Sequence, residues 1–248
     1  MTGSTMICRL RSLLLALPFL LALPAMADKP LPDDPVLIVG ALHHLHEREP
    51  AFGYDRLRAS IFAFKPDVLV LEVRPDELAE RKATPGRPEY PAVIWPLLSE
   101  LRIDAVAMEP GGELFKEIAG AAGAAFDVLK ARDPQAAVAL SRLDDAMEDV
   151  LLAYWQTPGQ AQDEQTAAVA AGAQAAQFAL AGPAFAAAQA RWDSHMGGQV
   201  IRTVRSHPGK RVMVIASYKN RAVLERMVRQ AVKGRVVDTA PWFAKTAN

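Results

Sequence analysis

The stretch Val36-Leu37-Ile38-Val39-Gly40-Ala41-Leu42-His43-His44-Leu45-His46 decides the reading of this chain, because a short apolar run breaks at a glycine and delivers three histidines at once. A continuous apolar run of this length is what a parallel strand covered on both faces requires. Gly40 is read as the residue that lets the chain turn where a side chain would clash. The histidines then stand just beyond the carboxyl end of a buried strand, the edge at which open α/β sheets bind their ligands. A histidine-rich loop also suits plain surface polarity, so the argument turns on what other strand ends carry.

Two further runs repeat the signal. Val68-Leu69-Val70-Leu71 leads into Glu72, and Ile103-Asp104-Ala105-Val106-Ala107-Met108 leads into Glu109. A helix is expected between the first two, since Leu57, Ile61 and Phe64 recur at helical spacing within 54–64, and a shorter one over 94–101. Right-handed crossovers would bring His43, Glu72 and Glu109 to one edge of a parallel sheet. The turn-rich segment with Pro85, Gly86, Pro88 and Pro91 reads as a surface excursion, and Glu77, Glu80, Arg81 and Lys82 as a solvated helix face.

From about 113 to 190 the composition becomes alanine-rich and helical, with no strand candidate. Leu143, Met147, Leu151 and Tyr154 mark one amphipathic face, and Thr157-Pro158-Gly159 and Gly182-Pro183 are breaks. This reads as an antiparallel helical insertion covering or flanking the strand edge. The core resumes with a helix carrying Trp192, Met196, Val200 and Val204, then a fourth strand, Arg211 to Ala216. Asn220 is read as the cap of the last long helix, and Val236-Val237 as a short final strand. The fold class is therefore α/β: a mostly parallel central sheet flanked by helices, with an inserted alanine-rich helical region, all in one domain over 28–248.

Residues 1–27 combine Arg9 and Arg11 with a leucine-rich core and Ala25-Met26-Ala27, the pattern of a cleavable secretory signal. The mature chain then begins at Asp28, carries no cysteine because Cys8 leaves with the signal, and has no membrane span; a periplasmic or secreted location is expected. With 28 basic against 28 acidic residues and no basic stripe interleaved with aromatics, nothing invites a nucleic acid. A small molecule or a peptide is the expected partner; oligomeric state is open.

In this order and spacing the motifs resemble the TraB, TIKI and GumN superfamily, which includes ChaN-like haem-associated proteins and an erythromycin esterase type. Gly40-Ala41-Leu42-His43 is similar to the family's Gly-x-x-His, and Leu71-Glu72 to its second-strand glutamate. Trp192-Asp193-Ser194-His195-Met196 falls where an Arg-Asn-x-x-Met helix is usual. Val212 to Lys219 resembles a strand ending Gly-Ala-x-His. The resemblance implies an α/β core whose histidines and glutamate gather at one edge, in TIKI-like members around a divalent metal that assists peptide cleavage. Two positions depart from it: the second family histidine falls on Lys219, and the family arginine on Trp192, with Arg191 beside it.

Lys219 matters because an ammonium has no lone pair for a metal. Two unit charges 4 Å apart interact by about 4 kcal/mol at an effective dielectric near 20, and a dication would roughly double that repulsion. Two readings follow. In one, Lys219 pairs with Glu72 or Glu109 in the metal's place, and the protein is a metal-free binder of a small molecule or haem, or an assembly partner. In the other, a hydrolase of amide or ester bonds keeps manganese, cobalt or zinc on His43, Glu72 and Glu109, with His44 or His46 recruited. Its catalytic set would be His43, Glu72, Glu109 and Lys219, with Arg191, Asp193, His195 and Tyr218 facing substrate. A metal-independent variant makes His43 the base, oriented by Glu72.

Overall fold

A computed structural model describes residues 31–246; the expected signal segment 1–27 and Cys8 lie outside the described residues. The apolar runs form four parallel strands, β1 (Val36–Ala41), β2 (Val68–Leu71), β3 (Asp104–Ala107) and β4 (Val212–Ser217), in the order β1-β4-β2-β3. Every residue of β1, β2 and β4 is buried, which is why these segments lack the polar alternation of a one-sided sheet.

Side-chain alternation divides the core in two. Leu37, Val39, Leu69, Leu71, Met213 and Ile215 face α1 (Tyr54–Phe64), α3 (Trp95–Leu101) and the closing helix α9 (Thr239–Thr246). Val36, Ile38, Val68, Val70, Val212 and Val214 face α7 (Pro183–Ser206) and α8 (Tyr218–Ala231). Each such side chain contributes about 1.5–3 kcal/mol by leaving water. The short α2 (Pro75–Glu80) follows β2. Its Glu77 is buried rather than solvated, because its carboxylate accepts the Arg74 backbone N–H at the start of the helix.

Between β3 and β4 the chain builds α4 (Gly112–Arg132), α5 (Pro134–Tyr154), α6 (Glu164–Ala181) and α7. Asp133 and Asp163 cap α5 and α6 through the N–H groups of Ala136 and Thr166, which fixes where these alanine-rich helices start. Among the described residues no helix is long and apolar enough to cross a membrane.

The topology places the site. β2 continues toward β3, whereas β4 continues through α8 across β1, so the chain leaves the neighbouring carboxyl ends of β4 and β2 in opposite directions. That divergence is the crevice at which open α/β sheets take ligands. Past the strands, the N–H of Glu72 donates to the Ile215 carbonyl at 3.1 Å and that of Glu109 to Val73 at 3.1 Å, so both carboxylates leave the ladder in register.

The free edge of β1 is covered. Val36 bridges Val236, the expected last strand reduced to one parallel bridge; the Thr239 hydroxyl donates to the Ile38 carbonyl; and the Gln162 side-chain amide holds both backbone groups of Gly40, at 2.7 and 2.9 Å. Gly40 lies within the strand, and the residue with the left-handed backbone is His43, at φ 54°. Glycine is required at 40 for a different reason: a Cβ there would stand 2.9 Å from the Tyr218 Cα, where α8 begins. Gly40→Ala should therefore cost about 1–3 kcal/mol in urea denaturation. Gly120→Ala, in an open stretch of α4, should stabilise by about 0.5–1 kcal/mol.

Candidate functional site

Glu72 stands at the β4/β2 crevice as an acceptor already filled. Its Oε2 accepts the Ser217 N–H at 2.6 Å and its Oε1 accepts the Asn220 amide at 3.0 Å. Ser217, not Asn220, caps α8, its hydroxyl accepting the Lys219 N–H; Asn220 lies in the first turn with its side chain on the carboxylate. The positive end of α8 therefore receives a carboxylate from its own chain.

Glu109, 2% exposed, is joined to Glu72 through a residue that the sequence pattern placed on the surface. Gly86, at φ 94°, turns the 85–91 segment inward, and Arg87 enters between the two carboxylates. Its guanidinium donates to Glu109 Oε1 at 2.6 Å and to the Glu72 carbonyl, and stands 3.8 Å from Glu72 Oε1. Burial opposes the arginine charge, but the attraction of Glu72 and Glu109 outweighs it and holds its pKa above the ordinary arginine value. Burial also pushes the Glu109 carboxyl up, and Arg87 limits that rise.

The three histidines of the opening stretch go different ways. His43 donates from or accepts at Nδ1 with Glu89 Oε1 at 2.7 Å; Glu89 is fully buried, its Oε2 without a hydrogen-bond partner. His44 meets Glu148 of α5 at 3.0 Å. His46 is buried, with Nε2 accepting the Leu42 N–H at 2.9 Å and Nδ1–H donating to the Phe52 carbonyl at 2.6 Å. Both ring nitrogens of His46 are used, so it has none to offer a metal, and burial lowers its pKa to about 4.

Lys219 does not approach Glu72 or Glu109. It reaches α5, with Nζ 3.5 Å from Asp144 and 3.7 Å from Glu148, because Arg87 already occupies the space between the strand-end carboxylates. Tyr218 is a core residue, packed edge-on against Trp155 rather than offered to substrate. Arg191 pairs on the outside with Glu117. Asp193, its carboxyl raised by burial, accepts from Gln189 at 2.8 Å. His195, lowered by burial, makes no hydrogen bond among the described residues.

The metal expectation fails on this geometry: among the described residues no three His, Cys, Asp or Glu side chains are placed to share an ion. His43 is turned to Glu89, His44 to Glu148, and Glu72 and Glu109 to a guanidinium. Arg87, Glu89 and Gln162 carry no mark in the sequence pattern, and Asn220 stands out there only as a helix cap. The one available signal was charge arithmetic, since two buried strand-end carboxylates require a nearby cation.

Above the charged floor lies a cavity of about 390 Å³. Its walls come from all four inserted helices, including Ile118, Met147, Ala173, Phe185 and Trp192, and its floor from Glu72, Arg87, Glu109, Lys219 and Asn220. None of the histidines lines it. No protein-family model matches the chain, and neither a curated protein nor a solved structure matches it.

Two predictions test this geometry. Arg87→Met should destabilise the fold by about 3–5 kcal/mol by leaving buried charge uncompensated, and adding Glu109→Gln should restore part of that loss in urea titrations. His46 has a folded pKa below the usual 6.5, so as pH falls the unfolded chain takes the proton first. Its contribution should erode stability from pH 6.5 down to about 4, by about 3 kcal/mol in all. The difference in pH slope between the wild type and His46→Gln measures it.

Proposed function

We propose that this protein is an exported, metal-free binder of a small organic molecule, built on a TraB/TIKI/GumN-like α/β frame. The observation that carries the reading is the cavity over the β4/β2 crevice, whose carboxylates are held by Arg87, Ser217 and Asn220. A cavity near 390 Å³ with apolar helical walls and a few convergent polar groups on its floor fits the small end of ligand pockets. A small molecule is favoured over haem because no histidine reaches the cavity. It is favoured over turnover there because the Ser217 hydroxyl is engaged as a helix cap and the Glu72 oxygens already accept hydrogen bonds.

One observation favours a second reading. His43 meets a fully buried carboxylate at Nδ1 and leaves Nε2 without a partner among the described residues, the arrangement of a general base. The orienting group is Glu89 instead of Glu72. On this reading the chain hydrolyses an amide or ester without metal, with water activated at His43.

A thermal-shift screen of small metabolites, run on the wild type beside Ala122→Trp, separates the two. Ala122 lines the cavity, so an indole there fills it. The binding reading expects some compounds to raise the wild-type melting temperature by several degrees and to lose that effect in Ala122→Trp. Slow turnover of an amide or ester that disappears in His43→Ala would replace it with the hydrolase reading.

A further inference from the structure

The cavity pairs its charges unevenly at both ends. On the floor, Glu72 and Glu109 share the single guanidinium of Arg87. On the α5 side, Asp144 and Glu148 share the single ammonium of Lys219, at 3.5 and 3.7 Å, longer than a good charge-assisted hydrogen bond. Three carboxylates, Glu72, Glu109 and Asp144, thus line the cavity against two cations.

The unfilled hydrogen-bonding capacity has the same sign. Glu109, 2% exposed and on the cavity floor, uses Oε1 for Arg87 and has no donor at Oε2 among the described residues. Asp144 receives Lys219 and the Gln177 amide at Oδ1 and has no donor at Oδ2 among the described residues. The Gln174 amide, also on the wall, has no hydrogen-bond partner among the described residues. On a side chain only 2% exposed, the free Glu109 oxygen is costly unless something in the cavity supplies a donor, whereas the Asp144 side chain, 42% exposed, also reaches water. An anion finds little at the floor, where Arg87 is already committed to Glu109 and the Glu72 carbonyl and Glu72 fills the N-terminus of α8; the other lining cation, Lys219, faces the two carboxylates Asp144 and Glu148.

On the helical side the lining carries apolar and aromatic residues, Ile118, Met147, Phe185 and Trp192, beside the amides of Gln174, Gln177 and Gln189. We infer that the ligand is a small amphiphilic organic cation: a protonated amine at Glu109, in the negative field that Asp144 adds to the same cavity, on an apolar body lying against the inserted helices. The inference rests on the binding reading above and deepens it. The ammonium supplies the donor that Glu109 Oε2 lacks, and the aromatic wall adds attraction for a cation. The helical insertion gives the apolar body its place, which explains why the face over the charged strand ends is built of alanine and a few large side chains.

The test uses three probes of one shape and three charges: tryptamine, tryptophol and indole-3-acetate, titrated calorimetrically into the mature protein at pH 7. Tryptamine should bind at least tenfold more tightly than tryptophol, and indole-3-acetate least well. Glu109→Gln and, separately, Asp144→Asn should each shrink the preference for tryptamine over tryptophol several-fold; circular dichroism confirms that each variant is folded. Asp144 lies nearer the surface than Glu109, so its variant keeps the test open if the other fails to fold. Tryptophol binding as well as tryptamine, indole-3-acetate binding best, or no binding by any of the three overturns the cation assignment. The pocket reading falls separately, if no compound in the screen loses its thermal shift in Ala122→Trp.

Discussion

Two carboxylates buried at adjacent strand ends cannot stand without a cation, and the placement of Arg87 between Glu72 and Glu109 is the constraint on which the rest of this site depends. The desolvation cost of a buried charge is several kcal/mol, and only a partner at hydrogen-bonding distance offsets it. The inward turn at Gly86 supplies that partner from a segment whose proline content suggests a surface loop. Once the guanidinium is in place, the floor of the crevice is an internal ion cluster. Glu72 in turn serves the start of α8, accepting the N–H of its cap Ser217 and the side-chain amide of Asn220.

The same constraint governs the helices above. Lys219, excluded from the strand-end carboxylates, turns to α5, where Glu148 also receives His44 and Asp144 also receives Gln177. Together with Gln162 on the edge of β1, these contacts fasten the alanine-rich insertion over the crevice at several points. The cavity is what remains between an ionic floor that cannot collapse and helices whose small side chains fill little space.

The sheet was legible because a buried parallel strand needs a continuous apolar run, and 68–71 and the helix over 54–64 emerge with the ends their patterns indicated. The site was legible only in part. Periodicity locates strand ends and hence Glu72 and Glu109, but it says nothing about which distant side chain neutralises them. Arg87 and Glu89 sit in an irregular segment with no period to read, and Gln162 acts through a backbone contact 122 residues away. His43, His44 and His46 look equivalent in sequence, yet the short 3₁₀ turn over His43–Glu47 sends them to Glu89, Glu148 and the Phe52 carbonyl. Gly40 was read as a turn residue when its role is to admit the start of α8.

The central claim is that Arg87, and not a metal ion, balances the strand-end carboxylates. Calorimetric titration of the tag-free protein with manganese, cobalt and zinc at pH 7 tests it most directly. The account predicts no stoichiometric uptake of any of the three. Binding of one ion per chain that disappears in Glu72→Gln would contradict it.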